Sequence, residues 1–191
     1  MKSSPMAVYT NKESEVLMLP VSRSGWYSLA FIALGALVAD QVSKFVVERT
    51  IPTDATDPAH SHVIIPGLLQ LVHTSNPGVA FGLGADSTAP WMAPVLILFS
   101  LAVICLLVWL LVTNRAGGWL GQCGLALILG GAAGNVLDRV LRRSVTDFID
   151  FYIGTHHWYT FNVADSAIVI GAALVVLELF RDWHHPSQER A

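Results

Sequence analysis

The chain has 191 residues, of which 53% are hydrophobic and only 13% charged, and its formal net charge is -3. That length suits one domain, and a mean hydropathy of +0.55 points to an integral membrane protein rather than a large soluble core. The slightly acidic balance offers no basic footprint, so no nucleic-acid partner is expected. The two cysteines, Cys105 and Cys123, each lie inside an apolar run and are expected to be small packing residues, not a disulfide or metal pair.

Residues 1–24 are polar, mixed in charge, and hold no apolar core with a small-residue cleavage site. They are expected to form a cytoplasmic tail rather than a cleavable signal, ending at an interfacial Trp26-Tyr27 pair. A first span is predicted over about residues 26–47. Its apolar part reaches Ala39 before Asp40 and Lys44 appear, and their i,i+4 spacing with the acid first allows pairing on one helix face. Two readings stay open. The pair snorkels at the interface and ends the span, or it turns inward and braces a polar site.

Residues 48–90 form the longest non-helical region, rich in Pro, Asp, Thr and Gly. The runs HVIIP and LLQLVH predict a small strand layer on the membrane surface. The segment Asn76-Pro77-Gly78-Val79-Ala80-Phe81-Gly82 follows. Asn-Pro-Gly is turn chemistry, so Asn76 reads either as a turn former or as an amide that orients a substrate backbone.

The second span, residues 91–112, carries no charge and is long enough to cross a bilayer. After a short reversing turn comes the third, residues 119–137, dense in Gly and Ala. Its pairs Gly117/Gly121 and Gly130/Gly134 allow close helix approach. Asn135, Asp138 and Arg139 follow at i, i+3 and i+4 and share one helix face at the membrane boundary. Residues 140–161 are expected to leave the membrane as an amphipathic surface segment, with Trp158, Tyr159 and Phe161 as an interfacial aromatic belt. His156-His157 and His184-His185 lack partners at metal-ligand spacing and read as surface residues. The last span, residues 162–180, opens with Asn162 and Asp165, and Glu178, Arg181 and Asp182 mark its far end. Residues 183–191 form a second cytoplasmic tail.

Four spans put both termini on one side. They gather Asp40/Lys44, Asn76, Asn135/Asp138/Arg139 and Asp165 at the opposite face. The stretch from Gly130 to Asp165 alone holds Asp138, Asp147, Asp150 and Asp165. A carboxylate near a bilayer is costly and normally faces the protein interior or a watery cavity, with a partner. Two carboxylates held close tend to share a proton, which suits one as base and the other as acid. The blander reading makes these solvated loop charges, with Arg139, Arg142 and Arg143 as membrane-edge anchors. Asp165 fits that reading least, because it sits in the first turn of an apolar run. Lys2, Lys12, Arg23, Arg115, Arg181 and Arg190 on the termini side face Lys44, Arg49, Arg139, Arg142 and Arg143 on the other. The balance leans toward cytoplasmic termini.

The motifs ADQVSK (39–44), NPGVAFG (76–82), GGAAGNVLDR (130–139), VTDFIDF (145–151) and FNVADS (161–166) resemble, in this order, the bacterial lipoprotein signal peptidases, signal peptidase II. The resemblance implies a membrane all-α fold of four transmembrane helices with a small β-rich layer at the periplasmic face. It implies an aspartic peptidase of the inner membrane that cuts a prolipoprotein just before its diacylglyceryl cysteine and is sensitive to globomycin. Asp147 and Asp165 match its catalytic pair. Asn76, Gly131, Asn135, Asp138, Arg139, Asn162, Asp40 and Lys44 match positions that line or brace the site, and Asp150 stands outside the pair. No cofactor and no metal are expected, the partners being the prolipoprotein and membrane lipid, and a monomer is expected. Region 48–90 is expected to clamp the substrate from above. Val79 departs mildly from the small residue that many members carry there.

Two rivals have a physical basis. A small transporter would use intramembrane aspartates as ion sites, yet no two-span half of the chain resembles the other. An assembly factor would use the Asp/Asn/Arg cluster as polar helix glue and would tolerate asparagine at Asp147 and Asp165.

Overall fold

The computed structural model describes residues 23–53, 61–78, 92–113, 115 and 117–184, the side chains of Ser24, Met92 and Ala93 excepted. The N-terminal tail, the Val79–Gly82 part of the NPGVAFG motif and His185 lie outside the described residues.

Among the described residues four helices form: α1 (Arg23–Thr50), α2 (Met92–Val112), α3 (Trp119–Arg142) and α4 (Val163–His184). Each is long and apolar enough to cross a membrane. Their outward residues are large hydrophobics such as Phe31, Leu98, Phe99 and Val169, which a bilayer solvates and water would not. α1, α3 and α4 run past the ends of the apolar stretches read from sequence. In α3 the reason is plain: Asn135, Asp138, Arg139 and Arg142 find partners inside the protein, so the helix continues beyond its lipid-compatible part. It stops at Arg143, which adopts φ 62° and donates its N–H to the Arg139 carbonyl at 3.1 Å.

α3 is the central helix and packs on the other three. In hydrocarbon the hydrophobic effect does not drive helices together, so association depends on close contact. Small residues provide it. A Cβ on Gly130 would strike the Ala33 carbonyl of α1, and one on Gly131 the Ala164 carbonyl of α4. Gly124 and Gly171 face each other in the same way between α3 and α4. Lower in the bundle, Leu29, Leu107, Leu111, Leu125 and Ala126 fill the space between α1, α2 and α3. At that end Glu178 of α4, buried, accepts the Gly118 N–H at 3.0 Å and caps α3, whose own N-cap residue provides no side-chain bond.

An antiparallel sheet caps the opposite end in the order β1 (His62–Ile65), β2 (Leu69–Asn76), β3 (Val145–Ile153) and β4 (His156–His157). The HVIIP and LLQLVH runs thus form strands, joined through Pro66-Gly67. There the Leu68 N–H bonds to the Ile65 carbonyl at 3.0 Å and Gly67 takes φ 77°. Residues 145–157, read from sequence only as a surface segment, form the other half of the sheet. Phe148 of β3 packs on Val47 of α1 and on Ile51 just after it, tying sheet to bundle, and burying each such side chain is worth about 1.5–3 kcal/mol.

Candidate active site

Among the described residues four aspartates are buried where the sheet meets the bundle, Asp40, Asp138, Asp147 and Asp150, and a fifth, Asp165, is half-buried beside them. Their surroundings sort them. Asp40 and Asp138 are neutralised by Lys44, whose ammonium lies 2.8 Å from Asp40 Oδ2 and 2.7 Å from Asp138 Oδ2, with all three side chains fully enclosed. Arg142 adds a second ion pair to Asp138 at 2.7 Å. Of the two readings open for Asp40 and Lys44, the inward one is therefore correct. Arg142 is a partner of buried acid rather than a membrane anchor. Asp150 sits apart on the sheet, bonded to Gln70 Nε2 and His157 Nδ1, each at 2.7 Å. Asp147 and Asp165 have no ionic partner of this kind among the described residues; amides hold them instead.

Asp147 leaves β3 toward the cavity. Its Oδ2 accepts from Asn76 Nδ2 at 2.9 Å and its Oδ1 from Asn162 Nδ2 at 2.7 Å. Asp165 lies in the first turn of α4. Its Oδ1 accepts from Asn135 Nδ2 at 2.9 Å and its Oδ2 from the Asn162 N–H at 3.3 Å. Asn162 Oδ1 in return accepts the Asp165 N–H at 2.9 Å, a reciprocal capping box. Burial pushes the Asp147 carboxyl up to about 6; the Asn76 donor opposes the rise, the nearby Asp165 charge adds to it, and the Asn162 donor and more distant Lys44 oppose it.

The three asparagines are oriented by what faces their oxygens. Lys44 can only donate, and it takes Asn135 Oδ1 at 3.2 Å, leaving the Asn135 amide N–H for Asp165. Asn76 Oδ1 accepts the Gly78 N–H at 3.0 Å, which turns its amide toward Asp147. Asn76 is thus a turn former that also holds a carboxylate, with one N–H of its amide on Asp147. Asp40 reaches across to accept the Ala164 N–H at 2.9 Å, fixing the start of α4 one residue before Asp165.

Both carboxylates line a cavity of about 840 Å³ that also borders Asn76, Asn135, Arg139, Thr74 and Thr160. It runs on past Trp158, Tyr159, Ile168, Val169 and Ile170. Arg139 enters it, donating to the Asn135 and Gly78 carbonyls at 3.2 Å each. Gly131 does not line the cavity; it brings α3 against α4 below it. Gln41, Glu48 and Thr146 belong to the surrounding network and went unnoticed in the sequence. Gln41 Nε2 bonds Asp40, the Gly134 carbonyl and Asp138, and it stands inside the ADQVSK motif, the one signal that pointed to it.

Fold and site define a polytopic membrane protein that keeps a carboxylate pair, held by amides, in a cavity at one end of its bundle. Two solved structures, each described as a bacterial membrane enzyme obtained by the in meso method, share this architecture. One aligns with a TM-score of 0.72 at 27% identity over 86% of this chain and 94% of its own. The other gives 0.69 at 28% over 82% and 94%. The chain belongs to the signal peptidase II family, whose description, Signal peptidase (SPase) II, matches residues 32–181. A lipoprotein signal peptidase of Solibacter usitatus is 41% identical over 160 residues, 82% of this chain and 92% of the relative. One from Geobacter sulfurreducens is 38% identical over 151 residues, 79% and 90% respectively. Family membership makes the chain a peptidase.

Proposed function

We propose that this lipoprotein signal peptidase is an aspartic endopeptidase of the bacterial inner membrane. It removes the signal peptide of a prolipoprotein immediately before the diacylglyceryl-modified cysteine, with Asp147 and Asp165 as the reacting pair. The observation that carries the reading is the sorting of buried acids. Asp40 and Asp138 are tied up by Lys44 and Arg142, whereas Asp147 and Asp165 share a cavity and, among the described residues, accept hydrogen bonds from amide and backbone donors only.

In this mechanism the pair holds one proton. The ionised carboxylate takes a proton from a water while the protonated one donates to the scissile carbonyl, and the water attacks that carbon. The carboxyl that received the proton then passes it to the leaving amine as the C–N bond breaks, while the other carboxylate takes back a hydroxyl proton from the tetrahedral diol; the pair again holds one proton and no covalent intermediate forms. Lys44 and the asparagines act as fixed positive charge and fixed dipoles, so little reorganisation accompanies the reaction. The apolar wall of Ile168, Val169 and Ile170 continues onto the lipid-facing side of α4, where Val169 and Ile170 are exposed. A lipid-modified substrate can therefore reach the pair sideways with its acyl chains still in hydrocarbon. Both termini lie in the cytoplasm in this reading, and the site faces the periplasm.

The test is cleavage of a diacylglyceryl-modified prolipoprotein by the purified protein in detergent. Sequencing of the product end should place the cut before the modified cysteine; a cut elsewhere contradicts the assignment.

A further inference from the structure

We infer that Glu48 and Thr146 form a register latch for β3, making both of them positioning residues that keep Asp147 opposite Asp165. The inference rests on the reading of Asp147 as a reacting carboxylate.

β2 and β3 pair in one register from Leu69↔Phe151 to Leu71↔Ile149 and in another from Thr74↔Asp147 to Asn76↔Val145. Between them β2 uses one residue more than β3, a bulge that interrupts the ladder. Pairing at the far end of the sheet therefore does not dictate which β3 residue meets Thr74. Because side chains alternate along a strand, a one-residue slip would turn Asp147 away from the cavity. Something local must set the register.

Thr146 is placed to do so. Its Oγ1 donates to Glu48 Oε1 at 2.8 Å, at the end of α1. Its N–H points to Asp138 Oδ2 of α3 at 3.4 Å, and its carbonyl accepts from Asn162 Nδ2, ahead of α4, at 3.4 Å. The residue before Asp147 is thus gripped from three helix ends, and the shortest of the three bonds is the one to Glu48. Glu48 is itself held by Arg142 Nε at 3.0 Å, and Arg142 is anchored on Asp138 at 2.7 Å. Thr146 and Phe148 point to the same side of the strand, toward α1, where Phe148 packs on Val47 and Ile51. Asp147 between them points the other way. Neither Glu48 nor Thr146 lines the cavity.

The experiment compares kcat and KM for prolipoprotein cleavage in Thr146→Val, Thr146→Ser, Glu48→Met and the Thr146→Val/Glu48→Met double variant, with Asp147→Asn in parallel. Thr146→Val keeps the β-branched shape and removes only the hydroxyl. It should lower kcat about tenfold and leave KM within about twofold, since misplacing a reacting group costs rate rather than binding. Thr146→Ser should stay close to wild type, and the double variant should lose no more than the worse single one. A wild-type kcat in Thr146→Val, a change in KM alone, or an equal loss in Thr146→Ser would each overturn the latch. Should Thr146→Val not elute as a monodisperse protein, Glu48→Met, which removes the acceptor of the Thr146 hydroxyl, carries the same prediction, and a wild-type kcat there overturns it. If Asp147→Asn is inactive while Thr146→Val is fully active, the latch alone fails. If Asp147→Asn still cleaves, the aspartate pair fails and the latch with it.

Discussion

Asn162 and Asp165 cap α4 through one another: each side chain accepts the other's backbone N–H, at 2.9 and 3.3 Å. The same Asn162 donates its amide to Asp147 at 2.7 Å, so one residue starts the helix that carries one carboxylate and holds the other. The two jobs can be separated. Asn162→Ser keeps an N-cap oxygen but is too short to reach Asp147, so thermal stability in detergent should stay near wild type while cleavage falls at least about tenfold. Asn162→Ala should lose the cap as well, costing about 1 kcal/mol. Cleavage retained in Asn162→Ser would show that its amide does not serve Asp147.

Asn76 sets the pH response. Asp147 titrates near about 6 because burial disfavours its charged form, and the Asn76 donor holds that value down. One carboxyl of the pair must be ionised to take the proton of the water, so cleavage should fall as pH drops through about 6. Asn76→Ala removes a donor that favours the charged form. The acid limb of the rate profile should then move to higher pH, by on the order of one unit, as expected for a hydrogen bond to a charged group. A limb near the ordinary carboxylate value, or one that moves downward, contradicts this assignment.

Lys44 is the enclosed cation on which Asp40, Asp138 and Asn135 all converge. Lys44→Met would leave Asp40 without a cationic partner and Asp138 with Arg142 alone, a loss of about 3–5 kcal/mol by analogy with other broken buried pairs. Adding Asp40→Asn should recover part of that loss in thermal unfolding, because it removes the stranded charge. No recovery would place the Lys44 contribution elsewhere.

Gly131 and Gly35 make a controlled pair. A methyl on Gly131 meets the Ala164 carbonyl, while nothing lies within 4 Å of one on Gly35. Gly131→Ala should push α3 from α4, destabilise by about 1–3 kcal/mol and lower cleavage, because Asn135 and Asp165 sit on those two helices. Gly35→Ala should be neutral or slightly stabilising. Equal melting temperatures for the two variants would rule out close packing as the role of Gly131.

The spans and the first two strands could be read from sequence because hydropathy and alternation are local signals. β3 could not. VTDFIDFYI places acids among apolar residues, and its residues from Val145 to Phe148 are all buried, so no in-out alternation marks it as a strand. Asp40 and Lys44 show the same limit in another form. Their i,i+4 spacing allowed pairing, yet only the arrival of Asp138 from α3 explains why the pair turns inward. Glu178 looked like the polar end of a span, but it caps a different helix. Asp147 and Asp165 stood out through motif resemblance. What sets them apart from Asp40 and Asp138 is the position of two cations, which is a property of the folded bundle.

The measurement that bears most directly on the account is prolipoprotein cleavage by wild type, Asp147→Asn and Asp165→Asn, each purified and shown to be folded in detergent. Both variants should lose cleavage almost completely, by a factor on the order of 10³ or more if each carboxylate moves a proton in the reaction. Cleavage near the wild-type rate in either folded variant would contradict the two-aspartate mechanism.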